Sequence, residues 1–111
     1  MQDDRLIKLL DMLKLQPDDA FLNYAVALEY ESIKDKNNSE KYFKKLLKEH
    51  SAYLPTYYKA AYFFLDKQEY RTALTIIESG LKLARTTHDI KTIKEMQELR
   101  NIIEEEMEDH S

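Results

Sequence analysis

The sequence predicts an all-α fold of about six antiparallel helices, and three observations support this prediction. The 111 residues include a single Gly, two Pro and many Leu, Ala, Lys and Glu residues, a composition that favours helices. Apolar residues recur at helical spacing along most of the chain. The spacing within residues 55–81 also recurs earlier in the sequence, so the fold is expected to be repetitive.

Capping and turn signals divide the first half of the chain into three helices. Acidic residues suit the start of a first helix over residues 3–15, which ends before a turn that contains Pro17. A second helix is predicted over residues 20–33. After a further turn, Asn38 or Ser39 is expected to cap the third helix, because both side chains can accept a hydrogen bond from the backbone.

The second half is predicted to contain three more helices. Pro55 is tolerated in the first turn of the fourth helix, where its missing N–H costs nothing. The chain turns at residues 67–69 and returns as a fifth helix from Tyr70 to about Arg85. Asp89 is expected to cap the last helix, whose apolar residues again follow helical spacing.

An internal repeat becomes visible when the segment 55–81 is moved back by 34 residues. Size or polarity is kept at most of the pairs. These are Tyr57 with Asn23, Ala60 with Val26, Ala61 with Ala27, Phe64 with Tyr30, Ala73 with Ser39, Ile77 with Phe43 and Leu81 with Leu47. A second step pairs Phe43 with Leu9 and Leu47 with Leu13, so the first helix has the pattern of a degenerate half-unit. A fixed period of this length is typical of solenoids.

The repeat pattern resembles that of the tetratricopeptide repeat, in which aromatic-x2-Leu-Gly-x2-Tyr is followed by Ala-x3-Phe. The second unit follows the pattern with Tyr57, Ala60, Ala61, Phe64, Tyr70, Ala73, Ile77, Gly80 and Leu81. The first keeps Ala27, Tyr30, Phe43 and Leu47 but has Asn23, Ser39 and Ser51 where an aromatic residue, an Ala and a Pro belong. The resemblance implies an α-α superhelix similar to small bacterial tetratricopeptide proteins.

The resemblance implies one domain over residues 1–111. Its expected parts are a half-repeat helix over 3–15, repeat 1 over 20–53, repeat 2 over 54–87 and a capping helix over 89–109. The last helix does not follow the repeat, because a shift of 34 residues places Ala61 on Glu95 and Phe64 on Glu98. A helix with one apolar and one charged face suits the end of a solenoid.

Gly80 is the only glycine and is expected to lie inside a helix. A Gly at such a position costs roughly 1 kcal/mol relative to Ala. The repeat pattern implies a small residue here, so we expect a neighbouring helix to approach closely at Gly80.

The resemblance also implies a partner site, because the first helix of each tetratricopeptide unit lines a concave groove. Carried over by position, the groove residues are Tyr24, Leu28 and Glu31 in the first unit and Tyr58, Tyr62 and Leu65 in the second. Tyrosine suits peptide recognition because it combines a large apolar ring, a hydroxyl and few rotatable bonds. The alternative is that the capping helix covers part of this surface and makes the tyrosines part of the core.

One partner class of the family is not expected. Tetratricopeptide modules that hold the C-terminal carboxylate of chaperones use a Lys and Asn clamp. Here the corresponding positions are occupied by Tyr24, Leu28, Tyr58 and Tyr62.

Charge is distributed unevenly around the net value of −4. Residues 95–109 contain seven acids and only Arg100 as a base. This segment is either a solvated helix end or an acidic patch that docks on the weakly basic body of a neighbouring molecule. The third helix carries Lys41, Lys44, Lys45 and Lys48, but in a protein of net negative charge these indicate a solvated face and not a nucleic-acid site.

No residue pattern predicts catalysis, a metal or a cofactor. The chain has no Cys, its three His residues lack metal spacing, and one Gly cannot form a phosphate loop. Paired carboxylates are ordinary products of charged helix faces. The N-terminus resembles neither a signal peptide nor a membrane span, so a cytoplasmic location without membrane contact is expected.

The sequence therefore predicts a non-enzymatic protein-interaction module that binds a peptide or partner segment in a tyrosine-lined groove. The alternative is a scaffold protein that forms a homo-oligomer through its own apolar surfaces. Two repeats are fewer than the roughly three usually needed for stability, which leaves this alternative open.

Overall fold

The computed structural model describes the backbone of residues 2–110 and the side chains of residues 4–110. Within this range the chain forms six α-helices and no strand, so the predicted all-α class is confirmed. The helices are α1 (Gln2–Leu15), α2 (Ala20–Ser32), α3 (Lys36–Glu49), α4 (Pro55–Asp66), α5 (Tyr70–Thr87) and α6 (Ile90–Asp109).

The chain divides into two compact units, Met1–Tyr53 and Leu54–Ser111. Helices α1, α2 and α3 belong to the first unit, and α4, α5 and α6 belong to the second. The boundary lies between the same two residues that separate the expected repeats. The assignment of all residues to a single domain stays a prediction.

In the first unit, α2 packs against both α1 and α3. Leu13 of α1 and Leu22 and Val26 of α2 are buried together, and partly buried residues surround them. These are Leu6, Leu9, Leu10, Tyr30 and Tyr42. Full burial of a Leu or Val side chain contributes roughly 1.5–3 kcal/mol, so this cluster is a main source of stability for the unit.

In the second unit, α5 packs against both α4 and α6. Ala60, Ala61, Ala73 and Ala84 are fully buried, and such small side chains let helix backbones approach closely. Helix α6 buries Met96, Leu99 and Ile103, which lie three to four residues apart and therefore share one face.

Gly80 of α5 lies directly against Tyr57 of α4. A Cβ atom at position 80 would lie 2.6 Å from the Tyr57 Cβ and 3.3 Å from the Met96 Cε. The first distance is shorter than real Cβ contacts allow. The internal glycine weakens helix α5 slightly but allows it to pack closely on α4.

The two units contain the same backbone turn, 34 residues apart. Lys34 follows α2 with a φ of 63°, and Gln68 follows α4 with a φ of 63°. The next residue donates its N–H to a carbonyl five positions earlier, Asp35 to Tyr30 at 3.0 Å and Glu69 to Phe64 at 2.9 Å. This hydrogen bond spans a residue in the left-handed conformation. It gives a donor to one of the last backbone carbonyls of each helix, which have no partner within the helix.

Helix α3 begins earlier than the sequence predicts. Asp35, and not Asn38 or Ser39, is the N-cap: its carboxylate accepts from the Asn38 backbone N–H at 3.2 Å and from Asn38 Nδ2 at 2.8 Å. Ser39 is fully buried and donates its hydroxyl to the Asp35 carbonyl at 2.8 Å. The prediction of Asn38 or Ser39 as the cap is therefore wrong. The left-handed turn at Lys34 orients the Asp35 carboxylate toward the open N–H groups of α3.

Asp89 caps α6 as predicted, because its carboxylate accepts from the Thr92 N–H at 3.1 Å and from the Thr92 hydroxyl at 2.6 Å.

Asn23 is fully buried at the position where the repeat pattern has an aromatic residue. Its Nδ2 donates to the Pro17 carbonyl at 3.0 Å and to the Asp19 carbonyl at 2.8 Å. Asn23 therefore fixes the turn between α1 and α2.

Candidate functional site

Helix α4 exposes a stacked pair of tyrosines, Tyr58 and Tyr62. Their side chains are 36% and 47% exposed, their ring centroids are 6.5 Å apart, and the ring planes make an angle of 24°. The pair thus offers apolar ring surface and two hydroxyl groups to a partner.

The opposite side of α4 fixes the direction of these rings. Tyr57, Ala60, Ala61, Phe63 and Phe64 are buried in the second unit. The exposed positions among them are Tyr58, Lys59 and Tyr62. Leu65 lies seven residues after Tyr58, so it shares the face with the pair, and it is half-buried. Tyr58, Tyr62 and Leu65 thus form one strip, which we call the α4 face.

The equivalent strip of the first unit, which we call the α2 face, is less exposed. Tyr24, Leu28 and Glu31 lie at the same spacing on α2, and all three are half-buried. The Tyr24 ring makes an edge contact with Tyr53, with centroids 5.6 Å apart and an interplanar angle of 60°. Burial, together with Tyr53 and Glu31, raises the pKa of the Tyr24 hydroxyl. The hydroxyl is therefore neutral near pH 7 and can both donate and accept.

Tyr53 is a residue that sequence reasoning missed. It lies in the link between α3 and α4, and its N–H donates to the His50 carbonyl at 2.9 Å. Burial and the nearby Asp19 raise the pKa of its hydroxyl. Helical spacing gives no signal for a residue in a link, so only an aromatic residue in a short polar segment marks the position.

The structure places the expected repeat positions as follows. Tyr57 is buried, and Ala27, Phe43, Ala61, Phe64, Ala73, Gly80 and Leu81 have essentially no exposed surface. Tyr30, Leu47 and Tyr70 are half-buried. Helix α6 packs mainly on α5, and Tyr62 keeps 47% of its surface exposed in its presence.

In the described part of the chain, no group of three or more His, Asp or Glu residues is arranged to hold a metal ion. His88 ends α5 with a φ of 58°, and His110 lies against the Tyr70 ring with centroids 5.1 Å apart. Of the helices described, none combines the length and apolar character needed to cross a membrane.

The helical arrangement is similar to a solved tetratricopeptide structure. The solution NMR structure of a tetratricopeptide repeat domain protein from Salinibacter ruber superposes with a TM-score of 0.75 and 24% sequence identity. The match covers 79% of this chain and 89% of that one. This chain has a tetratricopeptide-repeat fold.

A second solved structure matches over more of this chain. The crystal structure of the MamA protein matches with a TM-score of 0.69 and 17% identity, over 96% of this chain. The chain spans 61% of the length of that MamA chain. No protein-family model matches the sequence. No curated protein matches it either.

Proposed function

We propose that the protein is a non-enzymatic, cytoplasmic protein-interaction module that binds a peptide or partner segment through the α4 face and the α2 face. The observation that carries this proposal is the stacked, exposed pair of Tyr58 and Tyr62. The proposed partner is a protein, and the proposal involves no cofactor, nucleic acid or membrane. The tetratricopeptide fold supports it, since solenoid repeats present extended binding surfaces.

The α4 face has the physical properties of a binding anchor. A complete aromatic side chain buries about 150–250 Å², and the 36% and 47% of Tyr58 and Tyr62 that are exposed are the share a partner can still cover. The two side-chain torsions of a tyrosine cost little entropy on binding. Stacking of Tyr58 on Tyr62 restricts both rings before a partner arrives, which lowers that cost further. The hydroxyls can bind backbone groups of an extended segment, while Leu65 adds apolar contact.

The α2 face of the first unit is a second candidate surface, and it is more rigid. The edge contact with Tyr53 holds the Tyr24 ring in place, and Leu28 provides apolar surface one helical turn away. Because Tyr24 is already half-buried, it gains less area on binding than Tyr58 or Tyr62 does. We therefore expect the α4 face to contribute most of the binding energy.

The experiment selects peptides from a displayed random library on the wild-type protein and measures their affinity for the Tyr58→Ala/Tyr62→Ala variant. Loss of one central tyrosine anchor costs about 2 kcal/mol of binding free energy. We therefore expect the affinity to fall by about 30-fold for each tyrosine that is replaced. Circular dichroism should show unchanged helix content, because both side chains are exposed.

Two controls make the result specific. The Leu15→Ala/Ile90→Ala variant removes two exposed apolar side chains elsewhere and should bind the selected peptides as the wild type does. The Tyr58→Phe/Tyr62→Phe variant keeps the rings and separates their contribution from that of the hydroxyls. A double alanine variant that binds within about twofold of the wild type contradicts the proposal.

A further inference from the structure

A second surface lies within the first unit, in a cleft of about 500 Å³ that α1 and α3 line, which we call the α1–α3 cleft. Its walls are mainly apolar and consist of Ile7, Leu10, Leu13, Pro17 and Tyr42. Its polar lining consists of Asp11, Lys14 and Lys45. Ile7 is 56% exposed, a large fraction for an isoleucine, so the cleft presents apolar surface to solvent.

The two lysines of the cleft are only loosely held. Lys14 Nζ lies 3.9 Å from the Asp11 carboxylate, and Lys45 Nζ donates to the Pro17 carbonyl at 3.4 Å. An exposed pair at such a distance contributes little energy. Helix α3, which carries Lys45, contains five lysines and two glutamates. In the cleft lining itself, Lys14 and Lys45 stand against the single carboxylate of Asp11, so an apolar floor is combined with a polar edge of net positive charge.

Helix α6 has the complementary surface. Its buried side holds Met96, Leu99 and Ile103, while the neighbouring Ile102 is 47% exposed. Helical spacing places acidic residues around Ile102, namely Glu95, Glu98, Glu105 and Asp109. All four are exposed, and together with Ile102 they form the outer face of α6. The whole helix has seven acids and three bases. Its outer face is thus an acidic strip with an apolar residue near its centre.

We propose that the α1–α3 cleft of one molecule binds the outer face of α6 from a second copy of this chain. Ile102 enters the apolar part of the cleft, and Glu98 and Glu105 pair with Lys14 and Lys45. The charges of the two surfaces are complementary, and an exposed isoleucine matches an apolar cleft. The contact is favoured by both. It uses none of the tyrosines of the α2 and α4 faces, so it is independent of the proposed function.

The contact has a predictable strength and form. One cleft and one helix face form a small contact that is partly charged, and small contacts belong to weak, transient complexes, so we expect association in the micromolar range or weaker. Exposed charge pairs are screened by salt, so association decreases as ionic strength rises. Each copy carries both surfaces, and either a closed dimer or a longer chain of copies satisfies the proposal.

The experiment measures molar mass by light scattering across protein concentrations, at low and at high salt. We expect the mass to rise with concentration at low salt, and the rise to disappear in about 0.5 M salt. The Lys14→Glu/Lys45→Glu variant should stay monomeric, because an acidic cleft repels the acidic helix. The Glu98→Lys/Glu105→Lys variant should also stay monomeric, because both surfaces are then basic.

Mixing the two charge-reversed variants is the decisive step. The intact cleft of one variant can bind the intact α6 of the other, and the two reversed surfaces also complement each other. Association should therefore return in the mixture. A Lys59→Glu/Lys82→Glu variant changes the net charge by the same amount on exposed residues elsewhere and should associate as the wild type does.

Any of four results would overturn the proposal. The first three are a monomer at every concentration in low salt, unchanged association of Lys14→Glu/Lys45→Glu, and a mixture that stays monomeric. The fourth concerns the tyrosine pair. The Tyr58→Ala/Tyr62→Ala variant should still associate. If that variant alone is monomeric, the contact lies on the α4 face and the cleft is not the site.

Discussion

Gly80 and Asn23 show how single side chains adapt this repeat fold to its own packing. At position 80 even a methyl group is too large, because the Tyr57 side chain already occupies the space. At position 23 an amide replaces the aromatic ring of the repeat pattern and binds the two carbonyls of the preceding turn. One residue is selected by space and the other by hydrogen bonding.

Replacement of Gly80 by Ala should destabilise the protein. The added Cβ gains roughly 1 kcal/mol of helix propensity, but contact at 2.6 Å forces α5 away from Tyr57. Overpacking of this kind costs about 1–3 kcal/mol, so we expect the free energy of unfolding to fall. Urea unfolding followed by circular dichroism measures the change.

Ser79→Ala is the matched control, because Ser79 is the preceding residue of α5 and is exposed. Its effect should stay within about 0.5 kcal/mol. An unfolding midpoint of Gly80→Ala above that of the wild type would show that α4 and α5 have room to separate.

Sequence reasoning reaches some of these residues and misses others. A lone glycine within a helical pattern indicates that a neighbouring helix approaches closely at that position, because glycine otherwise only weakens a helix. The role of Asn23 depends on the path of the preceding turn, which local sequence does not specify. The contact between Tyr24 and Tyr53 joins residues 29 positions apart, so spacing along one helix cannot reveal it.

At the scale of single helices, two neighbouring isoleucines show how α6 is oriented about its own axis. Ile103 is fully buried, whereas Ile102 next to it is 47% exposed. The rotation of α6 about its own axis is therefore fixed by the packing of Met96, Leu99 and Ile103.

Ile103→Ala should destabilise the protein by about 2–5 kcal/mol, because it leaves a cavity in the packed core of the second unit. Ile102→Ala removes the same atoms from an exposed site and should cost less than about 1 kcal/mol. Chemical unfolding of both variants, monitored at a low protein concentration, gives the comparison.

Equal effects of the two substitutions would mean that α6 is rotated away from the orientation described. In that case the acidic strip around Ile102 would also change its direction. The pair of variants thus tests the packing of α6 without reference to any partner.

Helix boundaries are predictable where one signal dominates. Pro55 and Asp89 each mark the start of a helix without a nearby competitor, and both predictions are confirmed. The start of α3 is different, because Asp35, Asn38 and Ser39 can all cap a helix within five positions. Asp35 is the cap, and it directly follows Lys34, which has a left-handed backbone conformation. The sequence gives no sign of this conformation, because lysine rarely adopts it.

For the molecule as a whole, two capping carboxylates link stability to pH. Hydrogen bonds from the Asn38 side chain and backbone lower the pKa of Asp35 below its ordinary value of 3.8. The Thr92 hydroxyl and N–H lower the pKa of Asp89 in the same way. A carboxyl with a lowered folded-state pKa contributes stability above its unfolded pKa and loses it as the pH falls through the folded value.

The free energy of unfolding should therefore decrease as the pH falls below about 4. The Asp35→Asn/Asp89→Asn variant keeps an acceptor oxygen at each cap but cannot titrate. We expect its stability to decrease less steeply with pH. Urea midpoints from about pH 6 to about pH 2.5 measure the two slopes, and the other carboxyls affect both proteins equally. Parallel slopes would show that these caps do not contribute to the acid sensitivity.

Much of the whole fold could be predicted, because a period of 34 residues specifies helix order and type. The Tyr58 and Tyr62 pair is visible in the sequence, since residues four apart share a helix face. The α1–α3 cleft is not visible, because Ile7, Tyr42 and Lys45 come together only through the packing of α1 and α3 around α2.

The repeated turn after α2 and α4 has an evolutionary consequence. Lys34 and Gln68 share the same left-handed conformation, and Tyr30 and Phe64 accept equivalent hydrogen bonds, although the residue types differ. If the units arose by duplication, what they inherited is a hydrogen-bonding geometry that many residue types can adopt. Substitutions can then accumulate until few identities remain, while the backbone stays superposable. The geometry of the turn can therefore be conserved after the residue types at these positions have diverged.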